Sequence, residues 1–250
     1  MYSIAIIPAR YSSTRLPGKP LIDLGGKTMI QRVVEQAQQA SLDRVVVATD
    51  DERILHHVLD FGAEAVLTHP NHPSGTDRVW DAYHQLGQTA DCVVNIQGDE
   101  PFIQAGQIDA LLALFADEAT QIGTLVKPVL SQEELLSPHL PKVVLDAQGR
   151  ALYFSRHPIP YLRQYPSIDW LQHHRFLRHI GLYAYRPAVL QQLTQLAPAP
   201  LEIGESLEQL RWLTHGFSIH TAETSVETIG IDTPEDVKRA LAYLTNRGNG

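Results

Sequence analysis

The sequence predicts an α/β fold with a mostly parallel central sheet and a smaller mixed second half. Over roughly the first 100 residues, short apolar runs alternate with amphipathic stretches. The runs are unbroken, which is typical of strands buried on both faces. The chemically distinctive residues follow these runs, and a doubly wound sheet binds its ligands at the carboxyl ends of its strands. These three observations together favour a ligand-binding α/β protein.

In the first half, predicted strands and helices alternate strictly. Two helices begin at residues typical of N-caps, Thr28 and Ser74, whose hydroxyl oxygens accept a hydrogen bond from a backbone N–H of the first turn. The glycines Gly25 and Gly26 are expected to form a turn before the first helix. The predicted strands are residues 3–9, 44–49, 64–68 and 92–96, and the predicted helices are residues 28–40, 51–61 and 75–86.

After about residue 120 the pattern becomes less regular. Residues 158–170 are rich in proline and aromatic side chains and are expected to form an irregular loop or lid. Along residues 201–213, helical spacing predicts that Leu207 and Leu210 are buried. The same spacing gives the opposite, polar face to Glu205, Glu208, Gln209 and Trp212. The remaining predicted elements are strands at 122–129, 142–146 and 217–221, a turn at Gln148-Gly149 before 151–153, and helices at 187–196, 204–213 and 234–245.

The composition excludes several classes of protein. The 250 residues include 28 acidic and 20 basic side chains, a net charge of −8, whereas a general nucleic-acid binder needs a basic face. A single cysteine, Cys92, cannot form an internal disulfide bond, which is typical of a reducing compartment. No signal peptide and no run of roughly 20 apolar residues is recognised. We therefore expect a cytoplasmic protein that binds neither nucleic acid nor membranes.

The loop after the first strand is rich in cations. Arg10, Arg15 and Lys19 lie there with several hydroxyl side chains, and residues 1–22 contain no acid. Guanidinium groups bind phosphate oxygens in pairs, and backbone N–H groups of such loops bind oxyanions. The loop therefore predicts a phosphate site, with a solvated basic loop as the alternative. The nearby Gly-Gly-Lys-Thr sequence is not a P-loop, because Leu21 occupies the position of the first glycine.

Two aspartates are candidate magnesium ligands. Asp99 lies just beyond the fourth strand, where a carboxylate can hold Mg²⁺ against bound phosphates. The alternative is that Asp99 and Glu100 cap the next helix. Asp232 is a possible distant partner, although taken alone it is better explained as part of a helix start, before Thr233 and a proline. Residues 74–78 either approach a base or ribose, or simply cap a helix.

Several motifs occur in a characteristic order along the chain. The first is IIPARYSSTRLPGKPL at residues 6–21, and NIQGDEP follows at 95–101. Further motifs lie at residues 47–50, 74–78, 142–146, 152–156, 178–186, 207–211 and 230–236. Over nearly the whole chain, and beyond the nucleotide loop alone, this order resembles that of the 3-deoxy-manno-octulosonate (Kdo) cytidylyltransferases.

This resemblance implies a Rossmann-like nucleotide-diphospho-sugar transferase fold and a reaction. CTP and Kdo would give CMP-Kdo and pyrophosphate, for lipopolysaccharide biosynthesis. The chain would be one domain over residues 1–250, with a nucleotide-binding part at 1–120 and a sugar-binding and dimerisation part at 121–250. A homodimer is implied, and Mg²⁺ is implied as the cofactor.

The resemblance also implies roles for individual residues. Arg15, Lys19, Asp99 and Asp232 would be catalytic, the two aspartates as Mg²⁺ ligands. The nucleotide would be bound by Pro8, Ala9, Arg10, Arg15, Lys19, Ser74 and Gly75. The sugar acid would be bound by Arg78, Gln97, Arg156, His179, Tyr183, Glu208 and Gln209.

Two departures from the family pattern leave the identity of the sugar substrate open. Pro141 is an additional proline before the 142–146 strand, and residues 158–170 match the family poorly. An alternative is therefore a cytidylyltransferase for another acidic sugar, such as an 8-amino Kdo analogue or a sialic acid. An alternative from another class is a catalytically silent nucleotide-binding module.

Overall fold

A computed structural model of the chain describes residues 1–12, 16–227 and 230–247. The chain forms two compact units. The first contains the described residues among 1–109 and 227–247, and the second contains residues 110–226. The organisation as one domain divided near residue 120 stays a prediction.

Four parallel strands form the sheet of the first unit: β1 (Ser3–Ala9), β2 (Arg44–Thr49), β3 (Glu64–Leu67) and β4 (Cys92–Asn95). Their spatial order is β3-β2-β1-β4. The chain adds β2 and β3 on one side of β1 and then β4 on the other side. The carboxyl ends of β1 and β4 therefore lie at the point where the strand order reverses, which is where such sheets bind ligands.

Three helices connect these strands, and each begins at a capping side chain: α1 (Met29–Ala37), α2 (Glu52–Asp60) and α3 (Gly75–Leu86). Thr28 accepts from the backbone N–H of α1 at 3.3 Å and Ser74 from that of α3 at 3.2 Å, so both predicted N-caps are confirmed. Gly25 and Gly26 have φ of 72° and 86°, which confirms the predicted turn. A further helix, α4 (Ala105–Ala113), includes residues of both units.

The second unit has a mixed sheet, as expected: β5 (Ile122–Pro128), β6 (Lys142–Leu145), β7 (Ala151–Ser155), β8 (Leu177–Tyr185) and β9 (Ile219–Glu223). β5 lies between β8, which is antiparallel to it, and β9, which is parallel to it. β6 pairs antiparallel with both β7 and β8. The hairpin between β6 and β7 turns at Gly149, with φ of 76°, which confirms the predicted turn.

The helices of the second unit are short: α5 (Gln132–Leu136), α6 (Trp170–His173), α7 (Pro187–Leu193), α8 (Pro200–Glu205) and α9 (Gln209–Thr214). The single helix predicted for residues 204–213 is wrong, because Ser206 has φ of 52° and divides it into α8 and α9. Leu207 and Leu210 are buried, as predicted.

The polar face predicted for this helix is wrong for two of its four residues, whereas Glu205 and Glu208 are half-buried. Trp212 is 1% exposed and Gln209 is 5% exposed. The indole packs edge-on against the rings of Tyr183 and Tyr185, at centroid distances of 5.0 and 5.7 Å. The left-handed conformation of Ser206 interrupts the helix between α8 and α9. A helical projection drawn for one continuous helix therefore could not predict which side chains are buried.

The segment 158–170 is irregular up to a short 3-10 turn, Ser167–Asp169, as the sequence predicts. Its last residue, Trp170, is buried in an apolar cluster with Val129, Leu135 and Phe176. The end of the segment is therefore fixed in the core of the second unit by its tryptophan.

The last helix, α10 (Pro234–Arg247), belongs to the first unit. It contributes Ala240 to a buried cluster with Leu24, Met29 and Ile231. This cluster places residues 230–232 beside the start of α1 and the loop that follows β1. In the described part of the chain, no helix is both long enough and apolar enough to cross a bilayer.

A buried lysine in the second unit makes its stability sensitive to pH. Lys142 is 0% exposed, and its ammonium donates to the Ser137 carbonyl at 2.7 Å. Burial, together with the nearby Arg156 guanidinium, lowers the pKa of Lys142 from 10.5 to about 8. The native state therefore gives up this proton at a lower pH than the unfolded chain does.

We expect the substitution Lys142→Met to remove one contribution to the pH dependence of the free energy of unfolding. Between pH 8 and 10.5 the unfolded chain binds more protons at this side chain than the native state, so its contribution to stability rises with pH. The free energy of unfolding of the parent should gain on the order of 2 kcal/mol relative to the variant between pH 7 and 10.5. Denaturant titrations measure this, with Lys27→Met as the surface control. Parallel curves for parent and Lys142→Met would contradict the assignment.

Candidate active site

A pocket opens in the first unit at the carboxyl ends of β1 and β4. It has a volume of about 410 Å³. Its walls come from the loop after β1, the start of α3, the segment after β4 and the segment before α10. The lining residues are Pro8, Ala9, Arg10, Ser12, Lys19, Pro20, Ser74, Gly75, Arg78, Gln97, Gly98, Asp99 and Asp232.

The cation-rich loop is closed by a glycine. The Gly18 N–H donates to the Tyr11 carbonyl at 2.9 Å, and Gly18 has φ of 68°, a left-handed conformation that favours glycine. A 3-10 turn, Lys19–Leu21, begins directly afterwards. The turn fixes the backbone of Lys19 and brings its side chain into the pocket. Arg15, which the sequence places in the same loop, lies outside the described residues.

The segment after β4 passes very close to β1. A Cβ atom at Gly98 would lie 2.8 Å from the Pro8 carbonyl oxygen, which is a steric clash with backbone. Only glycine allows this approach without a shift of one strand end. The close passage brings Gln97 and Asp99 onto the pocket that begins at Pro8 and Ala9.

The Lys19 ammonium joins the two predicted magnesium ligands. Its Nζ lies 2.7 Å from a carboxylate oxygen of Asp99 and 3.0 Å from one of Asp232. Burial opposes the charge of Lys19, but the two carboxylates outweigh it and raise the pKa of the ammonium above 10.5. Lys19 is therefore charged at neutral pH, and it marks the point on which both carboxylates converge.

The capping alternatives for these aspartates do not hold. The start of α10 is capped by Thr233, whose hydroxyl oxygen accepts from the Asp236 backbone N–H at 3.3 Å. Asp236 accepts in return from the backbone N–H groups of Asp232 and Thr233 at 3.1 and 3.0 Å. The side chain of Asp232 is thus directed to Lys19. Asp99 likewise contacts Lys19, and α4 begins only at residue 105.

A backbone hydrogen bond holds the two aspartate segments together. The Ile231 N–H donates to the Asp99 carbonyl at 3.0 Å, and the side chain of Ile231 is 0% exposed. The pairing of these segments is therefore part of the core of the first unit, and the position of Asp232 follows from it.

The donor set fits a hard divalent cation. Mg²⁺ prefers carboxylate oxygens and commonly uses one or two of them, with water and phosphate oxygens completing its coordination. Asp99 and Asp232 are partly exposed, at 34% and 47% of their side chains, so both remain accessible to such an ion. Across residues 1–12, 16–227 and 230–247, no cluster of three or more His, Cys, Asp or Glu side chains is arranged for a metal.

A buried ion pair forms one wall of the pocket. Arg78 donates to Asp50 at 2.9 Å and to the Thr68 hydroxyl at 2.6 Å, and the guanidinium side chain is only 1% exposed. Burial lowers the pKa of Arg78, although Asp50 partly compensates. Sequence reasoning did not identify Asp50 as a site residue. Its position directly after β2, beside β1, was the signal that could have identified it.

Ser74 and Gly75 serve the helix and the pocket together. Ser74 caps α3 and also donates to the Asp77 carboxylate at 2.6 Å. A Cβ atom at Gly75 would lie 3.7 Å from the ring of Pro8, which is ordinary contact. The capping interpretation is therefore confirmed, and both residues also line the cavity.

The residues that the resemblance assigns to the sugar acid are divided between the units. Arg78 and Gln97 line the pocket of the first unit. The others lie in the second unit, on β8, at α9 and just after β7; they are Arg156, His179, Tyr183, Glu208 and Gln209.

Within the second unit, the rings of His179 and Tyr183 form a buried polar and aromatic cluster with Tyr185 and Trp212, and Gln209 is buried as well. The His179 ring lies 5.2 Å from that of Tyr183, which contacts the indole of Trp212. Burial, with Tyr185 and Glu208 nearby, raises the pKa of the Tyr183 hydroxyl well above 10. The Gln209 Nε2 is buried without a hydrogen-bond partner among the described residues. Such groups are suited to recognising the hydroxyls of a ligand.

The guanidinium of Arg156 is held by backbone carbonyls. It donates to those of Glu205, Pro138 and Ser206 at 2.7, 2.8 and 3.1 Å. The Glu205 carboxylate accepts from the Ser155 hydroxyl and from the Arg156 backbone N–H at 2.6 and 2.9 Å. A cation fixed mainly by neutral carbonyls retains its attraction for an acidic ligand.

Comparison with known proteins agrees with this geometry. A family model described as cytidylyltransferase matches residues 4–225. A 3-deoxy-manno-octulosonate cytidylyltransferase of Cytophaga hutchinsonii is 55% identical over 238 residues, covering 94% of this chain and 95% of the relative. One of Parabacteroides distasonis is 55% identical over 251 residues, covering 99% of this chain and 100% of the relative.

Solved structures agree as well. A CMP:2-keto-3-deoxy-manno-octonic acid synthetase complexed with CTP has a TM-score of 0.92 and 42% identity, covering 99% of this chain and 100% of that one. A putative glucose-1-phosphate thymidylyltransferase from Bacillus anthracis has a TM-score of 0.67 at 17% identity, covering 96% and 94%, a likeness of fold alone. The α/β nucleotide-diphospho-sugar transferase fold predicted from the sequence is thereby confirmed. The chain belongs to the family of 3-deoxy-manno-octulosonate cytidylyltransferases.

Proposed function

We propose that this protein transfers the CMP group of CTP to Kdo, giving CMP-Kdo and pyrophosphate for lipopolysaccharide biosynthesis. The observation that carries the proposal is the convergence of Asp99, Asp232 and Lys19 at the mouth of a nucleotide-sized pocket. Family membership supports the same reaction, because the relatives carry the name of this activity.

The nucleotide occupies the pocket of the first unit in this proposal. The cytidine can pack closely against the backbone where the pocket is lined by small or rigid residues. These residues are Pro8, Ala9, Ser74 and Gly75. Arg10 and Lys19 supply positive charge for the triphosphate, with Arg15 as a further cation proposed from the sequence. A loop with three cations and no acid is suited to one nucleoside triphosphate in an otherwise acidic protein.

Asp99 and Asp232 hold Mg²⁺ in the proposed working enzyme. When bound, the ion offsets the negative charge of the triphosphate and acidifies the attacking hydroxyl. The two carboxylates fix its position, because each is tied to the core through the Asp99–Ile231 backbone hydrogen bond. Lys19, which contacts both carboxylates, is placed to share its charge between them and the phosphates.

The reaction is an in-line displacement at the α-phosphorus. The anomeric hydroxyl oxygen of the sugar acid forms the new P–O bond, the bond to the β-phosphate breaks, and the hydroxyl proton passes to solvent. Catalysis of this kind depends mainly on positioning and charge stabilisation. Lys19 and Arg15 stabilise the negative charge that develops on the pyrophosphate.

The role of Arg78 and Gln97 of the first unit toward the sugar acid rests on the resemblance alone. In the second unit, the polar and aromatic cluster is proposed to bind the sugar acid. Arg156 supplies charge for its carboxylate, and His179, Tyr183, Glu208 and Gln209 supply donors and acceptors for its hydroxyls. Buried polar groups of this kind discriminate strongly, because a ligand that lacks the matching hydroxyl leaves them unpaired.

Cytoplasmic location and a homodimer are also part of the proposal. The single cysteine, Cys92, is buried and has no second cysteine with which to form an internal disulfide, which suits a reducing compartment. On the irregular segment 158–170, Tyr161 and Ile168 are 73% and 68% exposed. Large exposed apolar side chains favour a protein contact there.

The substrate assignment is tested by pyrophosphate release from the purified protein. With Mg²⁺ present we expect turnover with CTP and Kdo, and little with other nucleotides. The same assay is run with an 8-amino Kdo analogue and with a sialic acid. Turnover with an analogue and none with Kdo would reject the first choice of sugar. Binding of CTP without pyrophosphate release from any sugar acid would favour the silent nucleotide-binding module.

We expect Asp99→Asn to abolish turnover and to leave the fold intact. The amide preserves the size of the side chain but removes the charge that Mg²⁺ requires. Steady-state rates measure activity, and circular dichroism with thermal unfolding measures the fold. Asp60→Asn, on the exposed end of α2, is the matched control and should retain activity. Near-normal rates in Asp99→Asn would contradict the metal assignment.

We expect Lys19→Ala to lower the rate by about 100-fold or more, because the ammonium stabilises developing charge in the transition state. The exposed Lys27→Ala is the matched control. Rates are compared at saturating CTP and Kdo. A loss of thermal stability with an unchanged rate would instead assign Lys19 a purely structural role.

A further inference from the structure

A bulge in β8 brings one threonine of β5 against three polar groups. Thr124 lies opposite Tyr183 in the strand register, and the next residue of β5 lies opposite Ile180. Gly181 and Leu182 therefore have no counterpart on β5. Such irregularities re-aim side chains and are frequent beside binding sites.

The hydroxyl of Thr124 occupies the space that the bulge creates. Its Oγ1 lies 3.2 Å from the Ile180 carbonyl oxygen and 2.9 Å from the Leu182 carbonyl oxygen. It also lies 3.0 Å from Nε2 of His179. All three contacts are buried, so the hydrogen-bonding of each group must be satisfied within the protein.

The two carbonyl contacts determine where the single hydroxyl proton lies. A carbonyl oxygen can only accept a hydrogen bond. If the hydroxyl proton pointed to neither carbonyl, both carbonyl oxygens would repel the Oγ1 atom of Thr124. Thr124 therefore donates to a carbonyl, and its oxygen is left to accept from His179. In this arrangement the His179 ring carries its proton on Nε2.

The His179 ring is neutral at physiological pH. It is 9% exposed, and burial lowers its pKa from 6.5 to about 3. The rings of Phe154 and Tyr183 pack against it at 5.1 and 5.2 Å. A neutral imidazole has one N–H donor and one acceptor, so a proton on Nε2 leaves Nδ1 as an acceptor. Among the described residues, Nδ1 has no hydrogen-bond partner.

We propose that Thr124 is a positioning residue that sets the Nε2–H tautomer of His179, so that Nδ1 accepts a hydrogen bond from a hydroxyl of the sugar acid. This inference rests on the proposed function for the role of His179, and it adds a residue that recognises no substrate atom itself. Loss of the Thr124 hydroxyl frees the ring to adopt the other tautomer, which presents an N–H to the substrate. A hydroxyl of the sugar acid can accept from that N–H, but it can then no longer donate its own proton to the ring.

The test combines nuclear magnetic resonance with kinetics on the full chain. Protein labelled with ¹⁵N in its histidines is recorded at pH 7, and the His179 signals are identified by their loss in His179→Gln. We expect a protonated Nε2 and an unprotonated Nδ1, and a shift of the Nδ1 signal when Kdo is added. A protonated Nδ1 in the parent, or an Nδ1 signal that Kdo leaves unchanged, overturns the proposal.

Thr124→Val removes the hydroxyl and preserves the shape, and Thr124→Ser preserves the hydroxyl. We expect Thr124→Val to lose the single Nε2–H tautomer and to raise the KM for Kdo about fivefold to tenfold, with the KM for CTP unchanged. Thr124→Ser should restore both the tautomer and the KM. Thr120→Val, at another buried threonine of the second unit, is the control for loss of a buried hydroxyl.

An unchanged KM for Kdo in a folded Thr124→Val protein overturns the proposal. Should Thr124→Val fail to fold, the parent spectrum and Thr124→Ser decide, because a serine that leaves His179 in a mixture of tautomers also overturns it. Failure of the proposed function is distinguishable: it appears as no pyrophosphate release with any sugar acid, whatever the tautomer of His179.

Discussion

The Lys19 ammonium, bonded to Asp99 and Asp232, joins three segments that are far apart in the chain. The two contacts span 80 and 213 residues of sequence. An ammonium between two carboxylates offsets their mutual repulsion, so the two side chains can lie close together. The backbone hydrogen bond from Ile231 to Asp99, and the burial of Ile231 beside Leu24 and Met29, hold the same junction through the core. The pocket keeps its shape because this junction is made of core contacts and charge pairing together.

Charged and polar groups in each unit are held in place before any ligand arrives. Arg78 is fixed by Asp50 and Thr68, so its desolvation is offset within the protein. In the second unit, Arg156 is fixed by three backbone carbonyls, and His179 by Thr124. Groups held in this way need little reorganisation when a charged substrate binds, which is the main requirement of phosphoryl-transfer chemistry. The polar residues therefore act as fixed parts of the scaffold.

The regular parts of the fold were predictable because their signals are local. The apolar run of β1, the N-caps Thr28 and Ser74, and the turn at Gly149 each depend on a few neighbouring residues. The segment around α8 and α9 was not predictable in the same way. Its helical pattern continued through residues 204–213, but Ser206 adopts a left-handed conformation and Trp212 is buried against Tyr183 and Tyr185. The packing partners of Trp212 are on β8, and a helical projection contains no information about them.

By itself the sequence determined the alternation of strands and helices, the cation-rich loop after β1 and the acidic residues that follow β4. These features are predictable because strand ends and glycine-rich turns are encoded by adjacent residues. It left open whether Asp232 was a helix cap or a ligand of the site. Only the tertiary structure shows that Asp232 does not cap the helix, because Thr233 and Asp236 satisfy the first turn of α10 while Asp232 contacts Lys19. Likewise, only the folded chain shows that Gly98 must lack a side chain to pass the Pro8 carbonyl, and that the Thr124 hydroxyl lies 3.0 Å from Nε2 of His179. The physical reason is the same in each case: these contacts join residues that are distant in sequence, and their geometry exists only once the strands have paired.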